Sequence, residues 1–104
     1  MEDSTGIDAA AMVAHRGEAS GLLKTLANEK RLVICCLLLG GDHTVAELNG
    51  ALDLSQSALS QHLAVLREAD VVRCHRVGQH VRYTLASGPA LAVIRALHAS
   101  FCSP

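Results

Sequence analysis

Residues 55–69 read SQSALSQHLAVLREA, and the rest of the chain is organised around them. At helical spacing Leu59, Leu63 and Leu66 form one apolar stripe, which anchors the segment on a core. The other side carries Gln56, Ser57, Ser60 and Gln61 in the first two turns, with no acid among them. Side-chain amides can bond bidentately to base edges, while hydroxyls and the free N–H groups of a helix start suit phosphate oxygens. His62 fits either this groove-facing side or the edge of the core. A solvated Ser/Gln face would look the same in isolation, so the neighbouring segments decide.

Before it, residues 44–52 open with Thr44-x-x-Glu47, a capping-box pattern, and place Val45, Leu48 and Leu52 on one side. The pattern breaks at Asp53 and Leu54, and Ser55 caps the next helix. Two helices joined so tightly, here across residues 44–69, form a helix-turn-helix, whose second member enters the major groove. After Asp70 the period shifts from helical to alternating. Residues 71–76 and 80–85 are two strand-like runs around Val77, Gly78 and Gln79. The resulting hairpin, within residues 71–85, carries Arg73, Arg76 and Arg82 and no acid. Such a basic wing fits a phosphate backbone or a minor groove, with all three arginines available to the backbone; His75 and His80 decorate the wing.

At 104 residues the chain is one domain, half of it hydrophobic, which allows a modest core. Tyr83 and Phe101 are the sole aromatics, too few for the stacking platforms of a single-strand binder. The net charge of −1 argues against nucleic acid only as a sum. Residues 1–54 hold eight acids against four Lys/Arg, whereas residues 55–104 hold five Arg against two acids. The positive face is local, and a symmetric dimer doubles it. No stretch approaches a membrane span, and residues 1–20 lack the build of a signal peptide, so a cytoplasmic protein is expected. In a reducing compartment the four cysteines point to thiol chemistry, metal binding or plain burial rather than to a disulfide framework.

Residues 1–6 are polar and expected to fray. Residues 7–26 are Ala-rich and helical, in one piece or two, with interruptions at Gly17 and Gly21; they serve either dimerisation or packing on their own domain. Asn28 caps a helix over residues 29–39 that is apolar on every side between Leu32 and Leu39, which marks it as central and buried; Gly40 and Gly41 end it. Cys35 and Cys36 lie in it about 100° apart, so one faces the core while the other reaches the rim. Ser87, Gly88 and Pro89 start a last helix, residues 89–102, whose broad apolar side of Leu91, Ile94, Leu97, His98 and Phe101 is a second candidate dimer surface. Pro104 closes the chain. The fold class is therefore mainly α with a small β-hairpin, a dimeric winged helix-turn-helix.

The runs LLKTLANEKRLVICCLLL (22–39), TVAELNGALDLSQSALSQHLAVLREADVV (44–72) and RYTL (82–85) resemble the ArsR/SmtB family of winged-helix repressors. The resemblance implies a homodimer on a palindromic double-stranded operator that lets go when an inducer binds. The family's metalloid-type thiolate motif has no match, since residues 44–47 read TVAE, and its terminal-helix zinc site is reduced to His98 and Cys102. What matches is the persulfide-responsive branch. That likeness assigns the redox sensor to Cys36 and Cys102, to be joined by disulfide or polysulfide chemistry when a reactive sulfur species or oxidant arrives. His98, four residues before Cys102, is placed to favour its thiolate, while Cys36, in apolar surroundings, is the slower partner. Cys35 and Cys74 have no assigned counterpart and stand as auxiliary thiols.

An alternative keeps the fold and makes zinc or arsenite the inducer, with ligands from Cys35, Cys36, Cys74 or Cys102. An enzyme fits poorly: there is no C-x-x-C, nucleophile elbow or phosphate-binding glycine loop. No cofactor is expected.

Overall fold

The computed structural model describes residues 6–102; the start at 1–5, where fraying is expected, and the closing 103–104 lie outside the described residues. The architecture is built on α3 (Glu29–Leu39). Asn28 is extended, and its side chain accepts the Arg31 N–H at 3.0 Å, the expected N-cap. Arg31 in turn donates through Nε to the Thr25 carbonyl at 2.7 Å, tying α3 to the preceding helix. Ile34, Cys35 and Leu38 of α3 are buried, and Leu32, Cys36, Leu37 and Leu39 pack partly buried around them. Gly40 is the C-cap, and Gly41 adopts φ 144°, a conformation strained for any side chain, which turns the chain out of the helix.

The turn feeds β1 (His43–Thr44), a two-residue strand that the sequence pattern does not announce. Its partner is β3 (His80–Leu85), with His43 opposite Tyr83 and Thr44 opposite Arg82. On its other side β3 pairs with β2 (Val72–Val77), from Val72 opposite Leu85 to Val77 opposite His80. The sheet is antiparallel in the order β1-β3-β2, so the wing is a hairpin with a third strand at its root. Gly78, at φ 63°, supplies the positive φ that the first central position of the two-residue turn requires.

Between β1 and β2 lie α4 (Val45–Ala51) and α5 (Gln56–Glu68). The capping box forms as expected: Thr44 Oγ1 accepts the Glu47 N–H at 3.1 Å, and Glu47 Oε1 accepts the Thr44 N–H at 2.9 Å. Ser55 Oγ caps α5 by accepting the Ala58 N–H at 3.0 Å. Leu59, Leu63 and Leu66 are buried, with Leu48 of α4 in the same core. Burial of each is worth about 1.5–3 kcal/mol relative to exposure, which is what seats α5. Asp70 takes φ 59°, a region that Asp tolerates, and lets Val71 and Val72 enter the core directly after the helix.

The N-terminal segment is two helices, α1 (Ala9–Ala14) and α2 (Arg16–Leu26), but the division falls at His15. Gly17 and Gly21, expected as interruptions, lie inside α2, because an isolated glycine lowers helix stability without forcing a break. α1 buries nothing, and Met12, Val13 and Leu23 are exposed. Pro89 begins α6 (Pro89–Cys102) after Gly88 at φ 140°. Ala90 and Ile94 are buried against the core and Leu91 and Leu97 partly so, whereas His98 is exposed and Phe101 retains 82 % of its surface. No helix of the described residues is long and apolar enough to cross a membrane.

Candidate nucleic-acid interface and thiol pair

The core stripe of α5 sets its phase, so the opposite side must face outward. Gln56, Ser57, Ser60 and Gln61 are all exposed, and His62 is half-buried at the margin. Among the described residues none of these five side chains is hydrogen-bonded or paired with another part of the chain. The first turn of α5 contains no acid, so the positive end of the helix dipole is not neutralised from within. The helix start therefore presents unspent donors, amides and hydroxyls on one protruding surface, suited to groove edges and phosphates.

The three wing arginines, grouped by sequence as one phosphate-facing set, diverge in space. Arg76 is exposed one residue from the end of β2, near the tip of the wing, and carries no ion pair among the described residues. Arg73 is also exposed and unpaired, but it has the opposite strand parity and stands at the wing's root, bordering a groove walled by α2 and the start of α6. Arg82 departs furthest from expectation. Its Nε lies 3.4 Å from Asp42 Oδ2, and its Nη2 lies 3.3 Å from Glu47 Oε1 and donates to the Asp42 carbonyl at 3.2 Å. The carboxylates responsible are 40 and 35 residues away in sequence, which is why no local signal reveals them. His75 joins the same group, with Nε2 3.7 Å from Asp42 Oδ2, while His80 is exposed.

The cysteines separate into distinct environments, and all four are free thiols. Cys35 points into the core with no exposed surface, and burial, reinforced by the neighbouring Cys36, pushes its pKa up to about 12. Cys36, one residue on, is half-buried at the rim. Its pKa is raised as well, first by burial and then by the thiol of Cys102, which sits near enough for a charge on one to oppose a charge on the other. Cys102 is exposed at the last residue of α6, a helix packed along α3. The packing of α6 along α3 thus places Cys102 within electrostatic range of Cys36, while Cys35 turns into the core. His98 lies one turn before Cys102 on α6, but no hydrogen bond joins them. Cys74 is half-buried on β2 opposite Tyr83. Among the described residues of the chain no three His, Cys, Asp or Glu side chains gather to hold a metal ion.

A helix-turn-helix flanked by a three-stranded wing and seated on a central helix defines the class: a winged-helix DNA-binding regulator. Residues 28–73 match the family described as bacterial regulatory protein, arsR family. The chain is 47 % identical over 91 residues to the transcriptional activator HlyU of Vibrio cholerae, spanning 88 % of this chain and 84 % of that one. It is 45 % identical over 94 residues to the biofilm growth-associated repressor of Agrobacterium fabrum, spanning 90 % and 80 %. Among solved structures, reduced HlyU from Vibrio cholerae superposes with a TM-score of 0.83 at 46 % identity, covering 89 % of this chain and 98 % of that one. The repressor BigR from Xylella fastidiosa gives 0.84 at 35 % identity, covering 91 % and 94 %. The chain belongs to the ArsR family of transcriptional regulators, in the branch that contains HlyU and BigR.

Proposed function

We propose that this chain, as a homodimer, binds a palindromic operator and releases it when Cys36 and Cys102 become linked by a disulfide or a short polysulfide. The observation that carries the reading is the approach of Cys102, on the exposed end of α6, to Cys36 at the rim of α3. Exposed apolar side chains on α1, α2 and α6, among them Met12, Leu23 and Phe101, support α1, α2 and α6 as the surface that a second copy covers. Gln56, Ser57, Ser60, Gln61 and His62 serve the major groove, and Arg76 serves the phosphate backbone.

The chemistry needs a co-reactant, and a low-molecular-weight persulfide supplies it. The exposed Cys102 thiolate attacks the outer sulfur of RSSH, giving a protein persulfide and RSH. Attack by the Cys36 thiolate on the inner sulfur of that persulfide forms the Cys36–Cys102 disulfide and expels hydrogen sulfide. If both residues first become persulfides, the same displacement leaves a trisulfide and again releases hydrogen sulfide. A disulfide requires Cα atoms about 4.4–6.8 Å apart, and an inserted sulfur relaxes that limit. Either link ties α6 to α3 and shifts the two half-site readers of the dimer. A loss of one or two contacts per half-site, at about 1–3 kcal/mol each, lowers affinity by orders of magnitude.

The test is fluorescence anisotropy on a palindromic duplex selected from a random pool by the reduced protein, before and after persulfide treatment. Wild type is expected to release the duplex, and Cys36→Ser and Cys102→Ser to retain it; release by both variants as by wild type refutes the reading.

A further inference from the structure

The wing carries a group that the reading above does not use: a guanidinium already occupied inside the protein. Arg82 sits on the central strand of the sheet, in register with Thr44 of β1 on one side and His75 of β2 on the other. Residues paired directly across antiparallel strands project to the same face, so these three side chains share one side of the wing. On that side Arg82 Nη2 meets Glu47 Oε1 at 3.3 Å, and Arg82 Nε meets Asp42 Oδ2 at 3.4 Å. The same Glu47 Oε1 accepts the Thr44 N–H that starts α4, at 2.9 Å. One carboxylate oxygen is thereby shared between the wing and the first turn of the helix-turn-helix.

We propose that Arg82 is a positioning residue for DNA binding: it locks the wing onto the start of α4 and so fixes the angle between the wing tip and the groove-reading face of α5. The inference rests on the operator-binding reading. Two features favour a lock over a phosphate contact. Nη2 is shared between Glu47 Oε1 and the Asp42 carbonyl while Nε faces Asp42 Oδ2, so a phosphate approaching that edge of the guanidinium would have to displace them. The elements it joins are also the ones whose relative placement matters. α4 leads through a three-residue break into the α5 cap at Ser55, and β3 leads back from the exposed tip. A single pair at this exposure is weak, but Asp42 and Glu47 converge on one guanidinium and His75 stands against the same Asp42 carboxylate, which limits the freedom each would lose separately.

The two roles give opposite signs for one variant. Glu47→Gln keeps the capping box, since Gln serves as well at that position, but removes one of the two carboxylates that hold Arg82, the one that ties it to α4. With a lock, Glu47→Gln weakens operator binding; with a phosphate contact it frees Arg82 and tightens binding. Arg82→Ala is expected to lower operator affinity several-fold without changing the slope of log affinity against log salt. Arg76→Ala should reduce that slope by about one per protomer. The double variant Arg82→Ala/Glu47→Gln should bind no more weakly than Arg82→Ala alone. Tighter binding by Glu47→Gln, or a reduced salt slope for Arg82→Ala, overturns the proposal. Amide hydrogen exchange on the free protein reads the lock without DNA. Arg82→Ala should speed exchange at Thr44, and unchanged protection there overturns the lock even if the operator reading itself fails and wild type selects no duplex.

Discussion

Unfolding the chain should change the alkylation rate of Cys35 far more than that of any other cysteine. Cys35 has no exposed surface, and its pKa lies at about 12 against an ordinary 9.0. At about pH 8 that shift reduces the thiolate fraction about 1,000-fold. A more basic thiolate is also a better nucleophile, with a Brønsted slope of about 0.4–0.5, which returns a factor of about 20–30. The net suppression from ionisation is therefore about 30–50-fold, and the opening needed to admit a reagent multiplies it further. The assay is iodoacetamide labelling of reduced protein with and without guanidinium chloride, followed by quantitative peptide mapping of each cysteine. Cys102, exposed on α6, should label first in the native protein, Cys36 more slowly, and Cys35 last. A native-to-unfolded ratio for Cys35 within about threefold of unity would falsify the burial argument and remove the ground for setting Cys35 apart from Cys36.

Ile94→Ala, at a fully buried contact of α6 with the core, should cost about 2–5 kcal/mol in urea melts and slow persulfide-driven linking of Cys36 to Cys102; linking at the wild-type rate would mean that α6 docking does not align the thiols. Gly21→Ala in α2, where an added Cβ meets no atom of its own chain, should raise stability by up to about 1 kcal/mol; a loss of stability together with weaker dimerisation in sedimentation would instead place another copy against that position. Glu47 is held below its usual 4.5, foremost by the Thr44 backbone N–H and then by Arg82 and His43, so its contribution to stability is present above pH 4.5 and fades as pH falls below it. For Cys35 the sign reverses: a raised pKa contributes fully below pH 9.0 and is lost between there and about 12, so alkaline melts of Cys35→Ala should show a shallower decline than wild type, and an unchanged decline would contradict the assignment.

Much of the fold is legible because caps and stripes agree. Asn28, Thr44 and Ser55 each stand immediately before an apolar pattern with helical spacing, and each forms the cap expected of it. Other features depend on information that a local window lacks. β1 is two residues long and exists because Tyr83 and Arg82, some forty positions away, offer it a strand edge. The phase of α3 is hidden by apolar residues on every side, so only packing decides that Cys35 rather than Cys36 enters the core. The wing arginines look equivalent in a run without acids, yet Asp42 and Glu47 fold back onto one of them and strand parity separates the other two. The approach of residues 36 and 102 is likewise a property of the α3 and α6 packing; before the fold is known, only the family resemblance suggests it.

The central claim is that a sulfur link between α3 and α6 sets operator affinity, and it is tested most directly by measuring both quantities on one sample. Protein treated with graded persulfide would be divided between peptide mapping by mass spectrometry and duplex anisotropy. The account predicts that the fraction of operator-competent dimer falls in step with the fraction of chains carrying a Cys36–Cys102 disulfide or polysulfide, and recovers on reduction. Full linkage with undiminished affinity, or release while residues 36 and 102 remain unlinked, would contradict it.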